Sequence, residues 1–179
     1  MSTTSAKRRS VLKYGVIDLG LESADLPNGN TIELPVIRHP GASAIVAIDA
    51  EGRVTMISQW RHAIGGFLWE IPAGCRNSGE NPRDCAEREL REEAGLVAAR
   101  WDHLGEIVTI PSFCDERIDI FLARELGPGH GTLDEDEIIR VQRFEIEETT
   151  RMIRDGDIID AKTIVGLCHA RAFIGGARK

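Results

Sequence analysis

The run from Gly74 to Leu96, GCRNSGENPRDCAERELREEAGL, constrains the fold more than any other stretch of the chain. Asn81 suits an N-cap, Pro82 the first helical position, Asp84 the positive helix end and Gly95 the left-handed residue that stops a helix. The spacing predicts a helix over 81–94. At about 100° per residue, Ala86, Leu90, Ala94 and Val97 form one apolar stripe that should face a core. Glu89, Glu92 and Glu93 stand at i, i+3 and i+4 and share the neighbouring stripe, their Cβ atoms roughly 5–6 Å apart. Carboxylates so close repel one another unless a cation or arginines compensate them. The residues alone leave two readings open. One is a solvated acidic face, paired locally by Arg88 and Arg91. The other is a cation site, because the stripe borders the buried face, where unpaired charge is expensive. Pro72-Ala73-Gly74 precedes the helix and can lay a backbone carbonyl beside the carboxylates. Oxygen donors without sulfur or imidazole suit Mg2+ or Mn2+ and not Zn2+.

The rest of the chain gives this helix a sheet to pack on. Thr31 to Arg38 alternates Ile32, Leu34 and Val36 with polar residues, as a half-buried strand does. Ala42 to Asp49 is a continuous small and β-branched run, the pattern of a strand buried on both faces. Ala50-Glu51-Gly52 turns the chain, and Arg53 to Trp60 reads as the returning strand. Phe67 to Ile71, Arg100 to Ile110, Arg117 to Arg124 and Ile138 to Phe144 read as further strands. Glu147 to Arg154 and Ala161 to Ile174 read as helices, and Gly127 to Gly131 as a flexible loop. Strands, helix, strands, then helices make an α/β chain of the α+β type, with a mixed sheet carrying helices and no regular βαβ winding.

Composition narrows the function classes. The 179 residues, 42% hydrophobic and 28% charged, suit a single globular core. A net charge of −7 disfavours binding to nucleic acid by overall charge, and no apolar run approaches the roughly 20 residues a membrane helix needs. Cys75, Cys85, Cys114 and Cys168 form no CxxC pair and have no histidine at zinc spacing, so free thiols in a reducing, cytoplasmic setting are expected. Met1 to Ser10 is Ser/Thr-rich and basic with no apolar segment behind it, which reads as a frayed terminus. The expected organisation is a flexible terminus over 1–12, N-terminal strands over 13–40, candidates for dimer formation, and the main domain over 41–179.

Gly74, Glu80 and Arg88-Glu89-Leu90-x-Glu92-Glu93-x-Gly95-Leu96 together resemble the Nudix box at all nine specified positions. The resemblance implies the Nudix fold, a mixed sheet sandwiched between helices, with the box as loop–helix–loop. It also implies hydrolysis of a nucleoside diphosphate linked to another moiety. Carried over residue by residue, it makes Glu89, Glu92 and Glu93 the carboxylates that serve divalent metal, with Glu92 and Glu93 in the catalytic set. Ala73 supplies a carbonyl ligand, and Arg88 is the buried ion-pair partner that orients a glutamate. Gly74 and Gly95 meet the backbone needs of the turns.

Outside the box the chain resembles ADP-ribose pyrophosphatases. Pro111, 15 residues after Leu96, stands where that subfamily carries a proline, although Ile110-Pro111-Ser112 replaces the usual Ser-Pro-Gly. Gln59-Trp60-Arg61 resembles its Gln-Tyr-Arg, and Trp69 to Gly74 its approach to the box. Leu133-Asp134-Glu135-Asp136-Glu137 resembles its acidic loop, and Asp160-Ala161-Lys162-Thr163 the start of its last helix. These likenesses imply substrate contacts from Arg61, Trp60 and Glu116, a general base at Glu135 and a further metal ligand at Glu137. Each has a plainer alternative: a surface arginine, a core tryptophan, a solvated acidic loop.

The expected activity is Mg2+-dependent, with Mn2+ as a substitute, and converts ADP-ribose to AMP and ribose 5-phosphate. An ADP-sugar, GDP-mannose or diadenosine polyphosphate hydrolase is the alternative, keeping the same metals and changing only the base and sugar pockets. A non-catalytic nucleotide-sensing module is a third reading, disfavoured because all box glutamates are kept. The resemblance also implies a homodimer built through the N-terminal strands, whose exposed edge invites pairing. Neither a nucleic acid nor a membrane is an expected partner.

Overall fold

The computed structural model describes residues 7–131 and 138–176. Ten strands and three helices follow one another as β1 (Lys7–Tyr14), β2 (Ile17–Asp25), β3 (Thr31–Arg38), β4 (Ala42–Ile48), β5 (Arg53–Arg61), β6 (Gly66–Glu70), β7 (Ala73–Cys75), α1 (Pro82–Ala94), β8 (Leu96–Val108), β9 (Arg117–Pro128), β10 (Ile139–Glu145), α2 (Ile146–Asp155) and α3 (Ala161–Gly176).

β1, β2 and β3 form an antiparallel three-stranded sheet. Lys7–Tyr14 is therefore strand where the sequence suggested a frayed end. Its basic residues find partners: Arg8 binds Glu22 and Asp18, and Glu22 also takes Arg38. Those pairs let a carboxylate sit buried in β2, a strand that the polar pattern conceals.

The second sheet has seven strands in the order β10-β5-β4-β9-β8, with β6 on β5 and β7 on β4. Only β4 and β9 run parallel. β4 is buried throughout and divides its side chains between two cores, as its unbroken apolar run demands. Ala44, Val46 and Ile48 point to the layer made with Leu167 and Ala170 of α3, and Ile45 and Ala47 to the layer made with Ala86 and Leu90 of α1. The sheet is thus sandwiched between α1 and the C-terminal helices. Leu90 is fully buried, and truncating such a leucine costs about 2–5 kcal/mol.

α1 keeps the ends its sequence dictates. The Asn81 side chain accepts from the Asp84 N–H, and Gly95, at φ 64°, donates back to Leu90 and Arg91. Val97 departs from the expected stripe: it lies beyond the helix in β8 and is exposed, while Cys85 and two of the glutamates share the buried face.

One irregularity positions the site. β4 pairs with β5 only at Ala47 and Ile48, and with β7 at Ala42 to Ala44. β5 instead pairs with β6 from Ile57 to Arg61. The two strands therefore diverge, and Ile71-Pro72 bridges the gap, with the Pro72 carbonyl accepting from the Ile45 N–H. α1 lies along this opening.

Candidate active site

Two adjoining hollows share Arg61, Ala73, Gly74 and Cys75. The first, about 290 Å³, is lined also by Gln59, Asn77, Arg88, Glu89, Glu92 and Glu93. The second, about 430 Å³, continues past Thr109, Ile110, Glu116, Asp160 and Lys162. A larger hollow at the far ends of β4 and β9 includes none of the expected site residues.

Arg88 is the centre of the first hollow. Its Nε and Nη2 donate to the two oxygens of Glu80 at 2.9 and 3.0 Å. Nη1 donates to Glu89 at 2.5 Å and to Glu92 at 3.1 Å, and Nη2 also reaches the Cys75 carbonyl. One guanidinium thus holds three carboxylates of the box. Its hydrogen bonds draw Glu80 down to about 2, outweighing burial, which acts the other way. Glu93 is held differently: its Oε2 accepts from the Ala73 N–H at 2.8 Å. Glu89 and Glu93 are buried, so their charge is kept out of water by design of the fold. Gly74 has no room for a side chain, because a Cβ there would collide with the Glu89 carboxylate.

A second charged set closes the other wall. Glu70, 1% exposed, takes both forks of Arg61 at 2.8 Å and the ammonium of Lys162. Burial opposes the Glu70 charge, but these bonds hold its carboxyl below the usual range. Lys162 also meets Asp160 at 3.0 Å, and Asp160 caps α3 through the Thr163 N–H. The Thr163 hydroxyl accepts from the Ile71 N–H, which ties α3 to the bridge across the sheet opening.

Glu116 lines the second hollow, where Thr109 donates to it at 2.6 Å and the ring of His39 stands 3.6 Å away. His39 Nε2 meets Cys75 Sγ at 3.5 Å, and burial pushes both the Cys75 thiol and the Cys85 thiol upward, the latter to about 11. The four cysteines are free. Trp60 lines neither hollow. Strand alternation turns it away from Gln59 and Arg61, and it stands 40% exposed, edge-on to Phe67 at 5.3 Å. Pro111 opens a turn that packs on β3, where the Phe113 carbonyl accepts from the Ile37 N–H.

Glu135 and Glu137 lie outside the described residues. The chain leading to them is placed: Gly129 donates to the Gly95 carbonyl, and a Cβ at Gly131 would collide with the carbonyls of Arg91 and Glu92. Lys162 and Gln59 line the hollows, and Glu70, which lines neither, holds the Arg61 that lines both; in the sequence Glu70 falls within the Trp69 to Gly74 likeness without a role of its own. A carboxylate nine residues after Arg61, at the end of the next short strand, was the available signal.

The wall fits a hard cation. Its groups are carboxylate, carbonyl and amide oxygens, and the positive charge between Glu89 and Glu92 is supplied by Arg88. In this arrangement no three Asp, Glu, His or Cys side chains converge as a closed cage among the described residues.

The NUDIX domain matches residues 37–165. An ADP-ribose pyrophosphatase of Bacillus subtilis (strain 168) is 38% identical over 158 residues, covering 87% of this chain and 85% of that one. A methanol dehydrogenase activator of Bacillus methanolicus is 34% identical over 163 residues, covering 90% and 88%. An ADP-ribose pyrophosphatase of Mycobacterium tuberculosis is 36% identical over 165 residues, covering 90% and 79%. The crystal structure of an ADP compounds hydrolase superposes with a TM-score of 0.82 at 19% identity, over 99% of this chain and 98% of that one, which shows the shared fold.

Proposed function

The chain belongs to the Nudix family, and from that premise we propose that it hydrolyses ADP-ribose to AMP and ribose 5-phosphate. The observation that carries this reading is the meeting of Glu89, Glu92 and Glu93 with Arg61 in one hollow. Carboxylates for cations and a guanidinium for phosphate are the two needs of diphosphate cleavage. The relatives named ADP-ribose pyrophosphatase support the choice of substrate.

The residues divide the work. Arg88 fixes Glu89 and Glu92, and the Ala73 N–H fixes one oxygen of Glu93, so the carboxylates need little reorganisation when substrate enters. Arg61, whose Nε and Nη2 are clamped by Glu70, lies where the two hollows meet, and its remaining N–H groups hold a phosphate oxygen there. Glu116 serves the moiety in the second hollow. Ala73, Glu89, Glu93 and Glu137 would hold Mg2+, or Mn2+ in its place, which would supply charge neutralisation on the phosphates and a more acidic water. Glu135 takes the proton of the attacking water. The chain departs toward that residue from beside Glu92, which supports the assignment. Trp60 has no place in this scheme.

The reading extends to a homodimer formed through the three-stranded sheet, which exposes Val11, Leu12, Tyr14 and Ile17. Among the described residues no helix is long and apolar enough to cross a membrane. Free thiols suit the cytoplasm. The test is product identification from a panel of ADP-ribose, ADP-glucose, GDP-mannose, diadenosine polyphosphates and dGTP with Mg2+. ADP-ribose should be turned over best. A clear preference for GDP-mannose or dGTP would refute the substrate, and tight binding without turnover would refute the enzyme.

A further inference from the structure

Gln59 sits in β5 opposite Leu68 of β6 and Ile139 of β10, two residues before Arg61 and on the same face. It is 6% exposed and lines the hollow of the glutamates. Its Oε1 has no hydrogen-bond partner among the described residues. Leaving such an acceptor buried is unfavourable, and a leucine or methionine at this position would avoid that cost. No donor that lines the hollow is bonded to this oxygen: the Nε and Nη2 of Arg61 turn to Glu70, Arg88 to Glu80, Glu89 and Glu92, and the Ala73 N–H to Glu93. The carboxylates that share the wall only accept at neutral pH. An acceptor placed among acceptors is matched by a donor brought from outside. Water on a small divalent cation is such a donor, because Mg2+ keeps several of its waters when bound and polarises their O–H bonds.

We propose that the Gln59 side-chain amide accepts a hydrogen bond from a water carried by the divalent cation that Glu89 and Glu93 serve. This rests on the hydrolase reading above and adds to it a residue that secures the hydrated cation without ligating it. Gln59 is a positioning residue for that water.

The test is metal binding in the absence of nucleotide. Full-length protein is titrated with Mn2+ and free Mn2+ is followed by electron paramagnetic resonance, for the wild type, Gln59→Leu, Gln59→Met and Gln59→Glu. Loss of the amide in the Leu and Met variants should weaken Mn2+ binding about tenfold. The Glu variant, which keeps an acceptor of the same length, should bind at least as tightly as the wild type. Urea unfolding of the metal-free proteins gives the second readout. The Met variant, isosteric and without the orphaned oxygen, should be as stable as the wild type or more so, whereas a residue needed for structure would lower the midpoint. Mn2+ binding within twofold of the wild type in both the Leu and Met variants overturns the proposal, as does marked destabilisation of the Met variant. A wild type that binds no Mn2+ would instead overturn the hydrolase reading itself.

Discussion

Replacing Glu80 by Gln isolates the ion pair that organises the box. Glu80 is nearly buried and accepts two N–H groups from Arg88 and one from the Asn77 backbone. The Arg88 bonds hold its pKa at about 2 against an ordinary 4.5. At 1.36 kcal/mol per unit, that fall amounts to about 3 kcal/mol, and solvent at the rim of the hollow reduces what survives to about 1.5–2 kcal/mol. For a chain of this length the loss lowers Tm by about 3–8 °C. The sign with pH is set by the depressed value. The stabilisation is complete above about pH 4.5, where an unfolded glutamate is also ionised, and disappears as pH falls toward about 2. Urea unfolding of wild type and Glu80→Gln at pH 7 and pH 3 measures both quantities. The gap between the two proteins should shrink by more than half at the lower pH. A gap under about 0.5 kcal/mol at pH 7, the median worth of an exposed pair, would refute the reasoning, and so would a gap that ignores pH.

Glu93→Gln should lower kcat by several orders of magnitude with the fold intact by circular dichroism; near-normal turnover would remove Glu93 from the metal-serving set. Chelation with EDTA should abolish activity, and added Mg2+ or Mn2+ should restore it. Gly131→Ala, which drives a Cβ into the Arg91 and Glu92 carbonyls, should reduce kcat more than it changes KM in steady-state assays. Gly166→Ala places a Cβ 2.8 Å from the Ile71 side chain and should cost about 1–3 kcal/mol in urea unfolding.

Much of this architecture is legible in the residues themselves. Asn81, Pro82 and Gly95 bound α1 where capping chemistry says they must, and the unbroken apolar run of β4 announces a strand buried on both faces. β1 escapes such reading because it is exposed almost throughout, and β2, expected only among N-terminal strands over 13–40, buries Glu22 through ion pairs with Arg8 and Arg38 and not through an apolar pattern alone. Trp60 and Arg61 cannot both face one hollow in a strand of period two, a constraint the sequence contains and the resemblance obscures. Glu70 becomes recognisable only in the fold, where β6 sets it opposite Ile57 and the Arg61 side chain reaches across to it. The acidic helix allowed a solvated face or a cation site. Arg88, reaching back to Glu80 and across to Glu89 and Glu92, takes part of that charge inward, which periodicity alone does not foretell.

The approach from Gly129 to Gly131 rests main chain on main chain against the last turn of α1. Such a seat is indifferent to which side chains come next. A change of side chain further along would therefore leave the starting point fixed to the helix that bears the glutamates.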